Sequence, residues 1–227
     1  MKLQSFPEVE ASDGPTAGRV VLMSVLWALV HSLLASKQAK DLARRVAGAH
    51  YREGLYRVAY NVQSVATLVW LTRWFVRLPD RELYRTRPPW SWLFRAGQAA
   101  SLGVLLSGVR VVGVPEFAGI TPLRKLLAGK DVGPEPEAQG PPIGADGEVV
   151  KSGAFRFTRH PGNLGALGFF LFLPRMTANR AVLTALVALY VVLGSLHEEQ
   201  RLRAAYGTAY ERYRRTVPFL TPRPSRG

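Results

Sequence analysis

Two polar clusters in the last third of the chain carry the side chains best suited to chemistry. Arg159-His160-Pro161 stands before an apolar stretch that runs from Leu164 to Leu173, and His197-Glu198-Glu199-Gln200-Arg201-Leu202 follows a second stretch from Ala181 to Leu196. Pro174 and the polar turn Thr177-Ala178-Asn179-Arg180 separate the two stretches, which read as a hairpin. If its helices are antiparallel, two basic groups and two carboxylates return to the same face of the molecule.

Spacing on the outgoing helix sharpens this reading. Glu198, Leu202 and Tyr206 recur every four residues and share one helix face. Gly207 is placed to end that helix, and Tyr210 and Tyr213, three apart, give a last short helix one aromatic face. The same pattern also reads as a Glu/Arg-laced helix end with interfacial tyrosines. Gly162, Gly165 and Gly168 form a bare face on the incoming helix, which permits close approach of a neighbouring backbone or of a ligand.

Elsewhere the chain offers less. The dinucleotide fingerprint, the phosphate-binding P-loop and the zinc-protease HExxH are absent. With no cysteine there is no disulfide framework, thiolate metal site or cysteine nucleophile. His31 lies inside the first apolar run, where a helix-to-helix hydrogen bond or a functional role both apply, and His50 lies in a basic loop where solvation is expected.

These clusters need positioning elements, and the apolar residues supply them in five runs. The first is Val20 to about Ala35, the second about Val58 to Val76, and the third, rich in Gly and Ser, about Ala96 to Val114; the two hairpin arms complete the set. A bilayer crossing needs about 20 residues, so the second and third runs qualify while the fourth is too short by itself. The expected fold is all-α: a polytopic membrane protein of about five transmembrane helices, the last two a short hairpin, with a cytoplasmic helical tail.

Charge sets the expected orientation. Segment 36–57 carries six basic and two acidic residues and the tail after Leu196 is strongly basic, whereas the N-terminal segment with Glu8, Glu10 and Asp13 is net acidic. Basic loops favour the cytoplasm, which puts the N-terminus outside and the C-terminus inside a membrane, read as a bacterial inner membrane. Segment 77–95 is basic yet assigned outside, and its Trp90, Trp92 and Phe94 place it in the interface. The N-terminal segment lacks the basic start and cleavage site of a signal peptide, so the first run is expected to be retained.

The net charge of +14 calls for a partner. Lysine occurs six times, so arginine supplies 24 of the 30 basic residues. These flank apolar runs instead of forming one stripe, which favours a lipid bilayer over nucleic acid. Between Lys130 and Val150 the composition changes to Gly, Pro, Asp and Glu, the signature of a flexible loop. The expected organisation is an N-terminal scaffold of three helices (1–128), a Gly/Pro/acidic loop (129–150) and a C-terminal unit with the denser chemistry (151–227).

The order Gly153-x-Phe155, Arg159-His160-Pro161, apolar hairpin, Glu198-Glu199-x-x-Leu202, Tyr206-Gly207-x-x-Tyr210-x-x-Tyr213 and Val217-Pro218 resembles the C-terminal signature of the isoprenylcysteine carboxyl methyltransferase and phospholipid N-methyltransferase superfamily. Upstream, His31-Ser32-Leu33-Leu34-Ala35, Tyr56-Arg57-x-x-Tyr60-Asn61, Glu116-Phe117-x-Gly119-Ile120 and Pro174-x-Met176-Thr177 are similar to its bacterial branch, which includes thiol methyltransferases and NnrU-type membrane proteins. The resemblance implies an S-adenosylmethionine-dependent methyltransferase with a cytoplasm-facing cofactor pocket and an acceptor arriving from the membrane side. It implies cofactor contacts at Arg159, His160, Pro161, Glu198, Glu199, Leu202, Tyr206, Tyr210 and Tyr213, catalytic roles for Arg159, His160 and Glu199, and no metal. Many members carry a tyrosine two residues after the motif proline, where this chain has Asn163.

The expected acceptor is a small thiol, with a lipid amine or a carboxylate as alternatives. A thiol reacts as thiolate and a nearby cation favours that form; Arg159, His160, Arg201 and Arg215 are candidates by position. Two other readings stand beside the enzyme. One is a membrane protein in which His31, His160 and His197 ligate haem or a metal, and the other is an inactive relative that keeps the fold as a scaffold.

Overall fold

Each of the five apolar runs is a helix in the computed structural model, whose described residues are 13–134 and 139–221. In chain order the elements are α1 (Asp13–Ala35), α2 (Lys37–Ala47), α3 (Ala49–Phe75), β1 (Glu82–Arg85), α4 (Trp90–Val112), α5 (Val114–Ala118), α6 (Ile120–Leu127), a 3-10 turn (Gly153–Arg156), α7 (Pro161–Leu171), β2 (Arg175–Thr177), α8 (Ala178–Tyr206) and α9 (Thr208–Thr216). The expected basic loop 36–57 is itself helical. Ser36 caps α2 by accepting from the Ala39 N–H at 3.2 Å, and Glu53 on α3 pairs with Arg44 of α2 and with Arg52, each at 2.5 Å. His50 is exposed in the first turn of α3.

Interhelical hydrogen bonds fix the directions. On α1 and α3, Trp27 Nε1 donates to Thr67 Oγ1 at 3.0 Å and the Tyr56 hydroxyl to the Leu34 carbonyl at 2.6 Å, so these helices are antiparallel. Ser32 meets Tyr190 at 3.1 Å and Arg201 donates to the Ala35 carbonyl at 3.4 Å, so α8 runs parallel to α1. The fourth and fifth runs form the expected antiparallel hairpin, with Asn163 Nδ2 donating to Ser195 Oγ at 2.8 Å.

Helix α7 lies antiparallel along α4 through the predicted glycine face. A Cβ on Gly165 would lie 2.5 Å from the Ser101 carbonyl oxygen, and one on Gly168 would lie against the Ser101 hydroxyl. Gly108 of α4 returns the contact, since a Cβ there would strike Pro161 at 2.8 Å. The bare face is thus used for helix packing at Gly165 and Gly168, while Gly162 has open space.

A two-stranded antiparallel sheet adds to the expected all-helical fold. Glu82, Tyr84 and Arg85 of β1 pair with Thr177, Met176 and Arg175 of β2, with an irregularity between Glu82 and Tyr84. This ties the α3–α4 connection to the tip of the α7–α8 hairpin at one end of the bundle. The other end gathers the C-termini of α1 and α8 with the N-termini of α3 and α7.

Two helices, Thr16–Ala35 and Ala178–Tyr206, are long and apolar enough to cross a membrane, and only 6% and 17% of their apolar windows are buried. A core helix of a water-soluble fold would be mostly enclosed. Here Leu22, Leu29 and Leu33 on α1 and Leu189 and Leu193 on α8 face outward, as lipid-facing side chains do. Helices α3 and α4, expected to qualify comfortably, do not, because polar residues dilute them. Those residues bind neighbouring elements: Asn61 donates to the Phe117 carbonyl, Gln98 to the Phe169 carbonyl, and Ser107 accepts from the Ala154 N–H.

The segment predicted as a flexible loop is structured in its second half. Ile143 and Val149 form a β-bridge, and Val149 joins Leu202, Ala209, Tyr210, Tyr213 and Val217 in a buried apolar cluster. Gly140 packs against Leu202 and Tyr206, where a Cβ would come within 2.6 Å of a Leu202 methyl.

Candidate active site

At the N-terminus of α7, Pro161 occupies the first helical position, where its missing N–H costs nothing. That start directs Arg159 and His160 inward, toward the last turns of α8. His160 Nδ1 lies 3.0 Å from Glu198 Oε2 and its Nε2 lies 3.3 Å from Glu199 Oε1. Arg159 Nε donates to Glu199 Oε1 at 2.5 Å, and its Nη1 donates to the carbonyls of Arg214 and Val217 at 3.1 and 2.7 Å. The hairpin therefore joins the two polar clusters within hydrogen-bond distance.

Helix α9 closes the network from below. Gly207, at φ +54°, lets the chain turn between α8 and α9. The Tyr210 hydroxyl then donates to Glu199 Oε1 at 3.4 Å, Arg214 forms an ion pair with Glu199 Oε2 at 3.2 Å, and Tyr213 donates to the Phe155 carbonyl at 2.8 Å. Phe219 covers His160 edge-on at 5.1 Å between ring centres and lies under the Arg159 guanidinium.

Burial divides the two glutamates. The Glu199 side chain is 6% exposed and both its oxygens face Arg159, His160, Tyr210 or Arg214, whereas the Glu198 side chain is 27% exposed and lines a cavity. Burial by itself would lower the His160 pKa, but hydrogen bonds and charge from Glu198 and Glu199 outweigh it and raise it above the ordinary 6.5. Burial pushes the Tyr210 and Tyr213 hydroxyls well up, so both remain neutral donors.

The cavity, of about 150 Å3, opens to the surface between α1, α2, α3 and α8. Leu34, Ala35, Lys40, Tyr56, Arg57, Tyr60, Asn61 and Gln139 line it together with Glu198 and Arg201. Arg201 donates from Nη1 to the Ala35 carbonyl, but its buried Nε has no hydrogen-bond partner among the described residues.

The predicted residues thus fall into three environments. Arg159, His160, Glu199 and Tyr210 form a buried brace, and Glu198 extends from it into the cavity. Leu202, Tyr206 and Tyr213 pack in or against the apolar cluster under the segment around Val149, and Pro161 packs against Gly108. Asn163, in place of a tyrosine, holds Ser195 across the hairpin. For the methyltransferase reading, sequence reasoning placed no cofactor contact in the N-terminal half, yet most of the cavity wall is there. The signal was present as Tyr56-Arg57-x-x-Tyr60-Asn61, polar residues at helical spacing where the second apolar run begins.

A cationic sulfur donor with a zwitterionic amino-acid end fits this donor set. Arg201 Nε is a buried N–H in need of an acceptor, Lys40 and Arg57 add positive charge, Glu198 provides a carboxylate, and Tyr56 and Tyr60 provide aromatic faces that tolerate a cation. At about 150 Å3 the cavity is smaller than the roughly 300 to 1,000 Å3 of sites that enclose a whole drug-sized ligand.

No protein-family model and no solved structure matches the chain. Curated relatives do. It is 24% identical over 221 residues to methanethiol S-methyltransferase 1 of Bradyrhizobium diazoefficiens, covering 93% of this chain and 70% of the relative. It is 26% identical over 203 residues to the methanethiol S-methyltransferase of Pseudomonas deceptionensis, covering 89% and 71%. A methanethiol S-methyltransferase of Mycobacterium tuberculosis is 38% identical over 72 residues, 32% of this chain and 30% of that protein. Along most of its length, then, the chain is similar to methanethiol S-methyltransferases of bacteria, in keeping with the isoprenylcysteine carboxyl methyltransferase-like order of its motifs.

Proposed function

We propose that this protein is a membrane-embedded methyltransferase that takes its methyl group from S-adenosylmethionine and transfers it to a small thiol, with methanethiol as the first candidate. The observation that carries this reading is the joined cluster of Arg159, His160, Glu198 and Glu199, which presents Glu198 to a cavity beside the unpartnered Nε of Arg201. Its relatives' names support a thiol acceptor.

When bound, the cofactor supplies a methyl group on a positively charged sulfur. Glu198 accepts hydrogen bonds from its ammonium or ribose hydroxyls, and Arg201, with Lys40 and Arg57 near it, holds its carboxylate. Arg159, His160 and Glu199 act as positioning residues: the brace fixes the Glu198 rotamer and orients the last turns of α8. Leu34 and Ala35 give the alkyl group of the acceptor an apolar wall. In-line displacement at a methyl carbon requires alignment and exclusion of water more than any further catalyst, and a cavity of this size constrains both partners.

The proposed topology has five crossings, α1, α3, α4, α7 and α8, with the cavity on the cytoplasmic side and the α3–α4 connection and hairpin tip outside. The C-terminal unit carries the brace, and the N-terminal scaffold contributes the opposite cavity wall. A haem or metal role is not favoured: both ring nitrogens of His160 face carboxylates, and no group of three His, Asp or Glu is arranged to hold a metal ion among the described residues.

The test is transfer of labelled methyl from S-adenosylmethionine by the purified protein in detergent, offered methanethiol, phosphatidylethanolamine and prenylated cysteine in parallel. Label in volatile dimethyl sulfide, strongly reduced in Glu198→Ala at subsaturating S-adenosylmethionine, supports the proposal. Label in lipid or prenylated cysteine alone, or in none, overturns it.

A further inference from the structure

Tyr60, whose ring is part of the cavity wall, is hydrogen-bonded through its hydroxyl to His31, which does not itself line the cavity, and holding the donor does not use that hydroxyl. The Tyr60 hydroxyl, on α3, lies 2.7 Å from His31 Nε2 on α1, and His31 Nδ1 lies 3.2 Å from Ser64 Oγ. With Tyr60 donating to Nε2, the network places the ring proton on Nδ1, directed at Ser64. Trp27 stacks on the His31 ring at 4.8 Å with the planes 19° apart.

An alkanethiol must lose its proton to react at useful speed, and the lining leaves few groups able to receive it. Arg57 and Arg201 have no acceptor atom, Lys40 carries an ammonium, and the amides of Asn61 and Gln139 are not bases. Glu198 is tied to His160 and is assigned to the donor's ammonium or hydroxyls. Tyr56 and Tyr60 remain. Tyr56 donates to the Leu34 carbonyl, which cannot take a proton, whereas Tyr60 donates to an imidazole nitrogen, which can.

We infer that the cavity is the binding site for a small neutral thiol and that Tyr60 and His31 form the relay that takes up its proton; this rests on the methyltransferase reading above. In the step, the S–H bond breaks and its proton passes to the Tyr60 oxygen as the Tyr60 proton passes to His31 Nε2. The thiol sulfur forms its bond to the methyl carbon as the bond from that carbon to the sulfonium breaks, and the electron pair stays on the departing sulfur. His31 is left as an imidazolium over the Trp27 face, a cation–π contact that favours the charged form. The proton returns to solvent after product leaves.

The experiment compares two two-carbon thiols of very different acidity, ethanethiol and the far more acidic 2,2,2-trifluoroethanethiol, in wild type, Tyr60→Phe and His31→Asn. Loss of a general base costs about a hundredfold or more in kcat, so both variants are expected to lose about that with ethanethiol, at unchanged KM. With the acidic thiol, assayed at a pH above its pKa so that it arrives largely as thiolate, the loss should be less than about fivefold. Calorimetric binding of S-adenosylmethionine, and of ethanethiol to the protein saturated with S-adenosylhomocysteine, should stay within about twofold of wild type.

Equal losses on both thiols, weakened binding of either ligand, or full activity of the variants overturns the relay. Failure of wild type to methylate either thiol overturns instead the reading on which it rests.

Discussion

Removing one carboxylate of the Glu198–Glu199 pair should damage stability, and removing its neighbour should damage binding. Glu199 accepts from Arg159 at 2.5 Å, faces His160 at 3.3 Å and Arg214 at 3.2 Å, and receives the Tyr210 hydroxyl at 3.4 Å, with its side chain 6% exposed. In Glu199→Ala the Arg159 guanidinium, itself 9% exposed, keeps its two carbonyl acceptors but loses its only counter-charge in this network. Breaking a buried pair by deleting one partner costs about 3–5 kcal/mol, which corresponds to a drop of about 6–20 °C in Tm for a chain of this size. Glu198→Ala removes a partly exposed side chain with one hydrogen bond among the described residues, to His160, which retains Glu199. Its stability cost is about 1–2 kcal/mol, while loss of a charge-assisted contact should weaken donor binding roughly 10- to 100-fold. The assays are thermal unfolding in detergent followed by circular dichroism and calorimetric titration with S-adenosylmethionine. A Glu199→Ala protein that melts with wild type while losing donor binding would refute the division of labour between brace and contact.

Further expectations follow from the same geometry. Gly165→Ala drives a Cβ to 2.5 Å from the Ser101 carbonyl and should cost about 1–3 kcal/mol by overpacking, whereas Gly194→Ala meets nothing within 4 Å and should leave Tm unchanged or raise it; equal effects would refute the α4–α7 packing. Arg201→Gln should weaken S-adenosylmethionine binding about tenfold at a stability cost of about 1 kcal/mol, since only the long Nη1 bond to the Ala35 carbonyl is lost, and an unchanged Kd would remove Arg201 from the site. Because the His160 pKa is raised on folding, its contribution to stability is complete below pH 6.5 and is lost as pH climbs through the raised value. The Tm of wild type minus that of His160→Gln should therefore shrink on going alkaline; a difference that grows instead contradicts the pairing.

Much of this site was legible in the residues alone. A short polar turn between two apolar stretches leaves an antiparallel hairpin as the economical solution, and that geometry brings Arg159 and His160 to Glu198 and Glu199 from about 40 positions away. Helical period put Glu198, Leu202 and Tyr206 on one face, and Gly207 marked the turn that aims Tyr210 at Glu199. Each of these inferences uses only local chain geometry.

What tertiary structure decided is everything that depends on which face meets which neighbour. Period cannot say which of two adjacent glutamates is enclosed, because that depends on how α8 is rotated against α7 and α9; packing buries Glu199 and leaves Glu198 at the cavity. Nor does any local signal pair β1 with β2, or lay α1 parallel to α8, since these contacts join segments 90 or more residues apart. The cavity belongs to this second class: Tyr56, Arg57 and Tyr60 are polar marks on an apolar helix until α8 is packed opposite them and gives them Glu198 and Arg201 to face.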